Sequence, residues 1–146
     1  MPLLLNWPLW AAILAWFAAQ LLKVLIGLAT TKKLDLFLFL ATGGMPSSHT
    51  SFVVALATAM GHQNGFGSPF FAISAGFALV VMGDATGIRR AAGRQAAVLN
   101  MMIERLNNPH ISLDKKLREL LGHEPIEVAG GLLLGIAIGT IKYWLV

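Results

Sequence analysis

The chain contains no cysteine. Disulfides and thiolate metal sites are thereby excluded, and cysteine usage gives no clue to redox compartment. Charge is also scarce: 12% of the 146 residues are Asp, Glu, Lys or Arg, against about 25% in a soluble domain. Acids are scarcer than bases, seven against eleven, and the pI is near 9.9. The first apolar stretch lacks a basic leader and an evident small-residue cleavage site, so it reads as a retained span and not as a signal peptide. There is no clear internal repeat and no low-complexity tract. What remains is apolar: 56% hydrophobic residues and a mean hydropathy of +0.70. The length suits a single domain, residues 1–146, and the composition makes it an integral membrane domain.

Four apolar segments stand out, approximately Trp7–Leu28, Pro46–Met60, Pro69–Met82 and Pro125–Val146. A span needs roughly 20 apolar residues, within a range of about 17–25. The first and fourth qualify; the second and third are short unless their polar ends dip into the membrane. Leu34–Leu40 is too short to span and reads as an interfacial or re-entrant piece. The expected fold is all-α, a multi-pass transmembrane bundle of about four spans. A cytoplasmic amphipathic helical segment joins the third span to the fourth. In it Ala91, Ala92, Ala96, Ala97, Val98, Leu99, Met102, Ile103 and Leu106 form an apolar face with basic residues beside it. Such a helix lies on the membrane or packs under the bundle. Asn107-Asn108-Pro109 ends it, and Ser112 is placed to cap a second short helix, Leu113–Leu121, which Gly122 closes.

Lysine and arginine in the loops set the orientation. Lys32 and Lys33 follow the first span, the Gly61–Ser68 loop has neither residue type, and the connection from Arg89 to Arg118 carries seven. Both termini are therefore expected outside, with the basic connection and the Pro46–His49 loop in the cytoplasm. Lys142 is the exception. Basic charge beside apolar spans points to anionic lipid headgroups or a phosphorylated substrate, and not to nucleic acid. Gly131-x3-Gly135-x3-Gly139 and Ala11-x3-Ala15-x3-Ala19 let helices approach closely. They serve packing within one chain or a homo-oligomer interface, and the thinness of a four-span bundle leans towards the oligomer.

The chemistry-bearing residues begin with Gly43-Gly44-Met45-Pro46-Ser47-Ser48-His49. Glycines, a proline, two hydroxyls and an imidazole opening a helix make a natural anion site, because free N–H groups and the positive helix end point at the ligand. The plainer reading is that Ser47 caps the helix and His49 is a surface imidazole. His123 lies just before a helix that starts at Pro125, with Glu127 one turn inside. A carboxylate there can accept from an imidazole N–H and leave the other nitrogen free as nucleophile or base. Otherwise Glu124 and Glu127 simply favour the positive helix end. Asp84 closes the third span and needs a partner at a membrane boundary, for which Arg89 or Arg90 is placed. Those arginines match phosphate oxygens or act as topology anchors. Lys23, with Gln20 one turn earlier, is placed to snorkel to the surface. Four separated segments thus bring two imidazoles, a carboxylate and several cations to one end of the bundle, as phosphoryl transfer requires.

Taken together, Gly43–His49, Asp84–Arg90, Gly93–Ala96, Leu99-Asn100 and Leu120–Val128 resemble the divergent branch of the type-2 phosphatidic acid phosphatase superfamily. Proteins of this branch are often labelled acid phosphatase or vanadium-dependent haloperoxidase-related. The resemblance covers nearly the whole chain. It implies a metal-independent hydrolase without cofactor, acting on a lipid phosphate or pyrophosphate. His123 is then the nucleophile, His49 protonates the leaving group and Glu127 orients His123. Lys23, Ser47, Ser48, Arg89 and Arg90 hold phosphate, with Asp84 and Arg118 in support. The pattern departs from the wider superfamily in several places, among them Arg118, which lies one residue too close to His123, and Gly83, where a larger residue is expected in this branch. Ser48 stands where a glycine is usual, Glu127 where an aspartate is, and the lysine–arginine–proline first motif is missing. The rival expectation is a non-catalytic protein that binds or moves an anionic lipid.

Overall fold

Each helix starts where the sequence supplies a cap. In this computed structural model, which describes residues 2–40, 43–106, 117 and 122–144, the Asn6 side chain accepts from the Leu9 N–H at 3.2 Å. That cap, with Pro8 in the first turn, opens α1, Trp7–Thr31. Lys32 closes it in a left-handed conformation, its N–H bonded to the Leu28 carbonyl at 2.9 Å. Ser47 caps α2, Ser48–Asn64. Ser68 caps α3, Pro69–Thr86, with proline at the first helical position, where its missing N–H costs nothing. After Gly87 the chain resumes as α4, Ile88–Leu106, and α5 runs from Pro125 to Trp144. The protein is an all-α bundle, with no strand among the described residues.

The second and third segments are longer than hydropathy indicates. α2 reaches Asn64 and not Met60, and α3 reaches Thr86 and not Met82. Their polar ends, Gly61-His62-Gln63-Asn64 and Gly83-Asp84-Ala85-Thr86, are helical too. Three stretches are long and apolar enough to cross a membrane: α1, α3 running on into α4, and α5. The 17-residue α2, about 26 Å long at 1.5 Å per residue, is the central helix, packed on α1, α3 and α5. Enclosure lets it carry polar residues: Ser48, Thr50 and Ser51 are all buried.

The small-residue stripes are both used inside the chain. A Cβ at Gly131 would meet the Ser47 carbonyl oxygen at 2.6 Å, one at Gly135 the Ser51 oxygen at 2.8 Å, and one at Gly139 the Ala55 oxygen at 2.9 Å. α5 therefore lies backbone-to-backbone on α2, the close approach that stabilises helix pairs in lipid. Ala11, Ala15 and Ala19 of α1 are likewise fully enclosed. Neither stripe is left to mark an interface between copies.

At one end of the bundle His62 of α2 stacks on Tyr143 of α5 at 4.7 Å, and Lys142 lies 5.9 Å from the centre of the Trp7 ring. This is the amphipathic aromatic composition of a membrane–water boundary. At the other end, the Leu36–Leu40 segment forms a 3-10 turn that folds back along α1. Leu38 meets Gly27, and Phe39 sits 6.1 Å from Trp16. The segment thus lies against α1, as an interfacial or re-entrant piece would. Its short-range hydrogen bonding helps to satisfy backbone at membrane depth.

Candidate functional site

The start of α2 is held from two sides. The Ser47 N–H donates to the Glu127 carbonyl at 2.9 Å, tying α2 to α5. The Ser47 hydroxyl accepts from the Thr50 N–H at 3.4 Å and from the Thr50 hydroxyl at 3.1 Å. Next to it, the Ser48 hydroxyl accepts from Lys23 Nζ at 3.4 Å. Both serines are buried and their hydroxyls brace the fold. Lys23 does not snorkel outward as the sequence led us to expect: it is 4% exposed and turned into the bundle. Its helix face points at the α2 N-terminus, where Ser48 receives the ammonium. Gln20, one turn deeper on the same face, is buried with its side-chain oxygen unpartnered. The N–H groups of Ser48 and His49 belong to the first turn and have no acceptor within the helix. The positive helix end adds to their attraction for an anion. His49 itself is exposed at the mouth.

His123 is positioned by backbone packing. Gly122 has φ +90°, and a Cβ there would lie 2.6 Å from the Arg90 nitrogen, so only glycine lets this loop press into the junction between α3 and α4. The His123 N–H then donates to the Ala85 carbonyl at 2.9 Å. Ala85 lies in the last turn of α3, where carbonyls lack donors from their own helix. This docking places the His123 ring 6.4 Å from the His49 ring, edge to face at 80°. His123 is 5% exposed, and neither ring nitrogen has a hydrogen-bond partner. Buried groups left unpaired are rare because each carries a desolvation cost of about 1–3 kcal/mol. Burial lowers the His123 pKa from the ordinary 6.5; Glu127 opposes the shift, while Lys23, His49 and Arg89 reinforce it. Burial thus favours the neutral imidazole.

The carboxylates are engaged differently from one another. Glu127 Oε2 accepts from the Glu124 N–H at 3.1 Å, so it caps α5 and makes no hydrogen bond to the His123 ring. Asp84 accepts from Arg89 Nε at 2.6 Å, which selects Arg89 over Arg90 as its partner. The Nη donors of Arg89 are not used by that bond and can face an anion. Arg90 is exposed beside the Gly122 loop. Arg118 and the expected short helix after Ser112 lie outside the described residues.

Asn100 entered the sequence reading only within the Leu99-Asn100 motif of the resemblance, without a role of its own. Its Nδ2 donates to the Leu117 carbonyl at 2.9 Å, and its Oδ1 accepts from the Leu117 N–H at 3.1 Å. That pair of bonds fastens α4 to the connection five residues before Gly122. The available signal was a lone amide one turn from Ala96 and Ile103 on a helix face. No group of three His, Cys, Asp or Glu among the described residues is placed to hold a metal.

One end of an antiparallel membrane bundle thus gathers two facing imidazoles, a buried lysine, an exposed arginine held by an aspartate, and the N-terminus of α2. The fold is that of a multi-pass helical membrane protein. The chain belongs to the divergent PAP2 family, whose sequence model it matches over residues 4–138. It is similar to the Uncharacterized membrane protein YuiD of Bacillus subtilis (strain 168), with 44% identity over 152 residues, spanning 97% of this chain and 96% of that protein. No solved structure matches the chain.

Proposed function

We propose that the protein is a membrane phosphatase that removes phosphate from a lipid phosphate or pyrophosphate through a phosphohistidine. The observation that carries this reading is His123: buried, unpartnered at both nitrogens and with its ring centre 6.4 Å from that of a second imidazole. Each imidazole must come within about 3 Å of the atom it serves, and rings whose centres are 6.4 Å apart can both reach one phosphoryl group bound beside them.

In the first step a His123 nitrogen attacks phosphorus while the bond to the leaving oxygen breaks, its electron pair going to that oxygen. His49, whose protonated form the anionic substrate beside it favours, supplies the proton the oxygen needs. In the second step water attacks phosphorus as the phosphorus–nitrogen bond breaks, its electron pair returning to the His123 nitrogen, while His49 takes the water proton and inorganic phosphate leaves. Lys23, Arg89, Arg90 and the first-turn N–H groups offset the charge on the phosphoryl oxygens. Depth favours a lipid over a soluble substrate. Lys23 lies 16 residues beyond Trp7 on α1, about 24 Å along a helix axis, against a hydrocarbon core of about 30 Å. The cations therefore sit just inside the layer where a lipid carries its own phosphate. Met45 and Ile126, beside the site, are exposed apolar groups suited to acyl chains. By the charge rule the site faces the cytoplasm, since Lys32, Lys33 and the α4 arginines share its end of the bundle.

Phosphate release from a panel of lipid phosphates and pyrophosphates in vesicles tests the proposal. Loss of the acid–base group in His49→Ala lowers release by about 100-fold or more, and His123→Ala abolishes it. Full release by both variants would overturn the reading. The Glu127 carboxylate favours a second reading, because it caps α5 and leaves His123 without an orienting partner. That reading is a non-catalytic pocket for an anionic lipid, and it predicts binding of the same panel without release.

A further inference from the structure

α4 is amphipathic in an unusual place. Ile88, Ala91, Val98, Leu99 and Met102 recur at helical spacing along one face, with Gln95 among them. Val98 is 45% and Met102 57% exposed, and the residues around them line an open groove on the helix. Among the described residues α4 packs chiefly against the end of α3, and its enclosed side, around Gly93, Ala96 and Asn100, is turned away from this stripe. Arg90 and Arg94 run along the edge of the stripe, both exposed. The helix holds four arginines and one glutamate.

We infer that α4 is an interfacial helix whose apolar stripe lies in the acyl–headgroup boundary of the protein's own bilayer, with its arginines on anionic lipid headgroups. Position selects this occupant. α3 has 18 residues, about 27 Å of helix, so it has nearly crossed a hydrocarbon core of about 30 Å when it reaches Gly87. The Asp84–Arg89 pair at that point is part-exposed, as charged groups at the edge of the hydrocarbon must be. α4 therefore begins at headgroup level, where an apolar face on one side and arginines beside it match the two layers they meet. The charge complements an anionic leaflet, which attracts basic side chains within a Debye length. Because α4 also carries Arg89 and Arg90, this anchorage fixes the depth of the site's cations.

The absence of cysteine makes the test direct, since single-cysteine variants need no background removal. Val98→Cys, Met102→Cys and Glu104→Cys are spin-labelled and reconstituted in phosphatidylcholine vesicles with and without phosphatidylglycerol. Collision with oxygen, which concentrates in lipid, is compared with collision with a water-soluble nickel chelate. Oxygen is expected to dominate at positions 98 and 102, and the oxygen-to-nickel ratio to be lower at 104, on the opposite face. The oxygen-to-nickel ratio at 98 is expected to rise with phosphatidylglycerol, and Arg94→Gln to remove that rise. Nickel dominance at 98 and 102 would overturn the inference, as would labels shielded from both agents, which means cover by the chain itself. Spin–spin broadening at 98 would assign the stripe to a second copy instead. An unchanged ratio across the two vesicle types would overturn the role given to the arginines.

Discussion

The backbone N–H of His123 donates to the carbonyl of Ala85 at 2.9 Å. Through this bond a histidine from the loop before α5 is set by the end of α3 and not by its own helix. The site is thus a consequence of how one loop seats in a helix junction, and the loop's glycine becomes its most sensitive residue.

Gly122→Ala is expected to damage the site before the fold. At φ +90° an alanine is strained, and its Cβ meets the Arg90 backbone at 2.6 Å. The loop must lift, carrying His123 away from His49. Anion binding, read by vanadate or phosphate titration on the protein in detergent, is expected to fall at least tenfold. The helical circular dichroism remains.

The glycine stripe of α5 predicts the opposite, a loss of stability. A Cβ at Gly135 meets Val54 Cβ at 2.7 Å and the Ser51 carbonyl oxygen at 2.8 Å, neither of which can move without shifting a helix. Overpacking of this kind costs about 1–3 kcal/mol. A Cβ at Gly130 meets the flexible end of Met45 at 3.3 Å and Pro46 Cβ at an ordinary contact distance of 3.5 Å. Gly135→Ala is therefore expected to lower the thermal midpoint clearly, while Gly130→Ala leaves it near the wild type. Equal midpoints for the two variants would show that α5 does not lie on α2 as described.

How much of this was legible in the sequence depends on the residue. Asn6, Ser47 and Ser68 announce their helices, since a short polar side chain before an apolar run is a local signal. The ends of α2 and α3 were missed by four residues each, because hydropathy stops at polar residues whereas hydrogen bonding continues through them. The gathering of Lys23, the Ser47–His49 turn, Asp84–Arg90 and His123 at one end followed from antiparallel connectivity alone. Direction did not. Lys23 was expected to reach outward, and only the position of Ser48 on a neighbouring helix decides that it turns in. The Gly131–Gly139 spacing is the same whether the partner is another helix or another copy, so its use could be read only from the packing. Asn100 binds a backbone 17 residues away, and no local pattern encodes such a bond.

The neutral state of His123 has a pH signature. Its pKa is lowered by burial, with Glu127 opposing and Lys23, His49 and Arg89 reinforcing the shift. Above about pH 6.5 the ring is neutral in folded and unfolded states alike, and no penalty applies. As pH falls below that value the unfolded state takes up the proton first, so stability declines until the folded pKa is passed. The thermal midpoint in detergent is expected to drop on acidification from pH 7, and His123→Gln to remove this component of the drop. Bound phosphate favours the imidazolium and is expected to raise the His123 midpoint in an NMR titration. A midpoint at or above 6.5 without phosphate would contradict the account of a desolvated ring.

The central claim is that His123 carries the phosphoryl group, and chemical trapping tests it most directly. The protein in vesicles is mixed with a lipid phosphate labelled in the phosphoryl group, quenched in alkali within the first turnover, and digested for mass spectrometry. The account predicts an alkali-stable, acid-labile phosphoryl group on the peptide containing His123, absent from His123→Ala. Release of labelled phosphate at the wild-type rate from His123→Ala, with no labelled peptide in either protein, would contradict it.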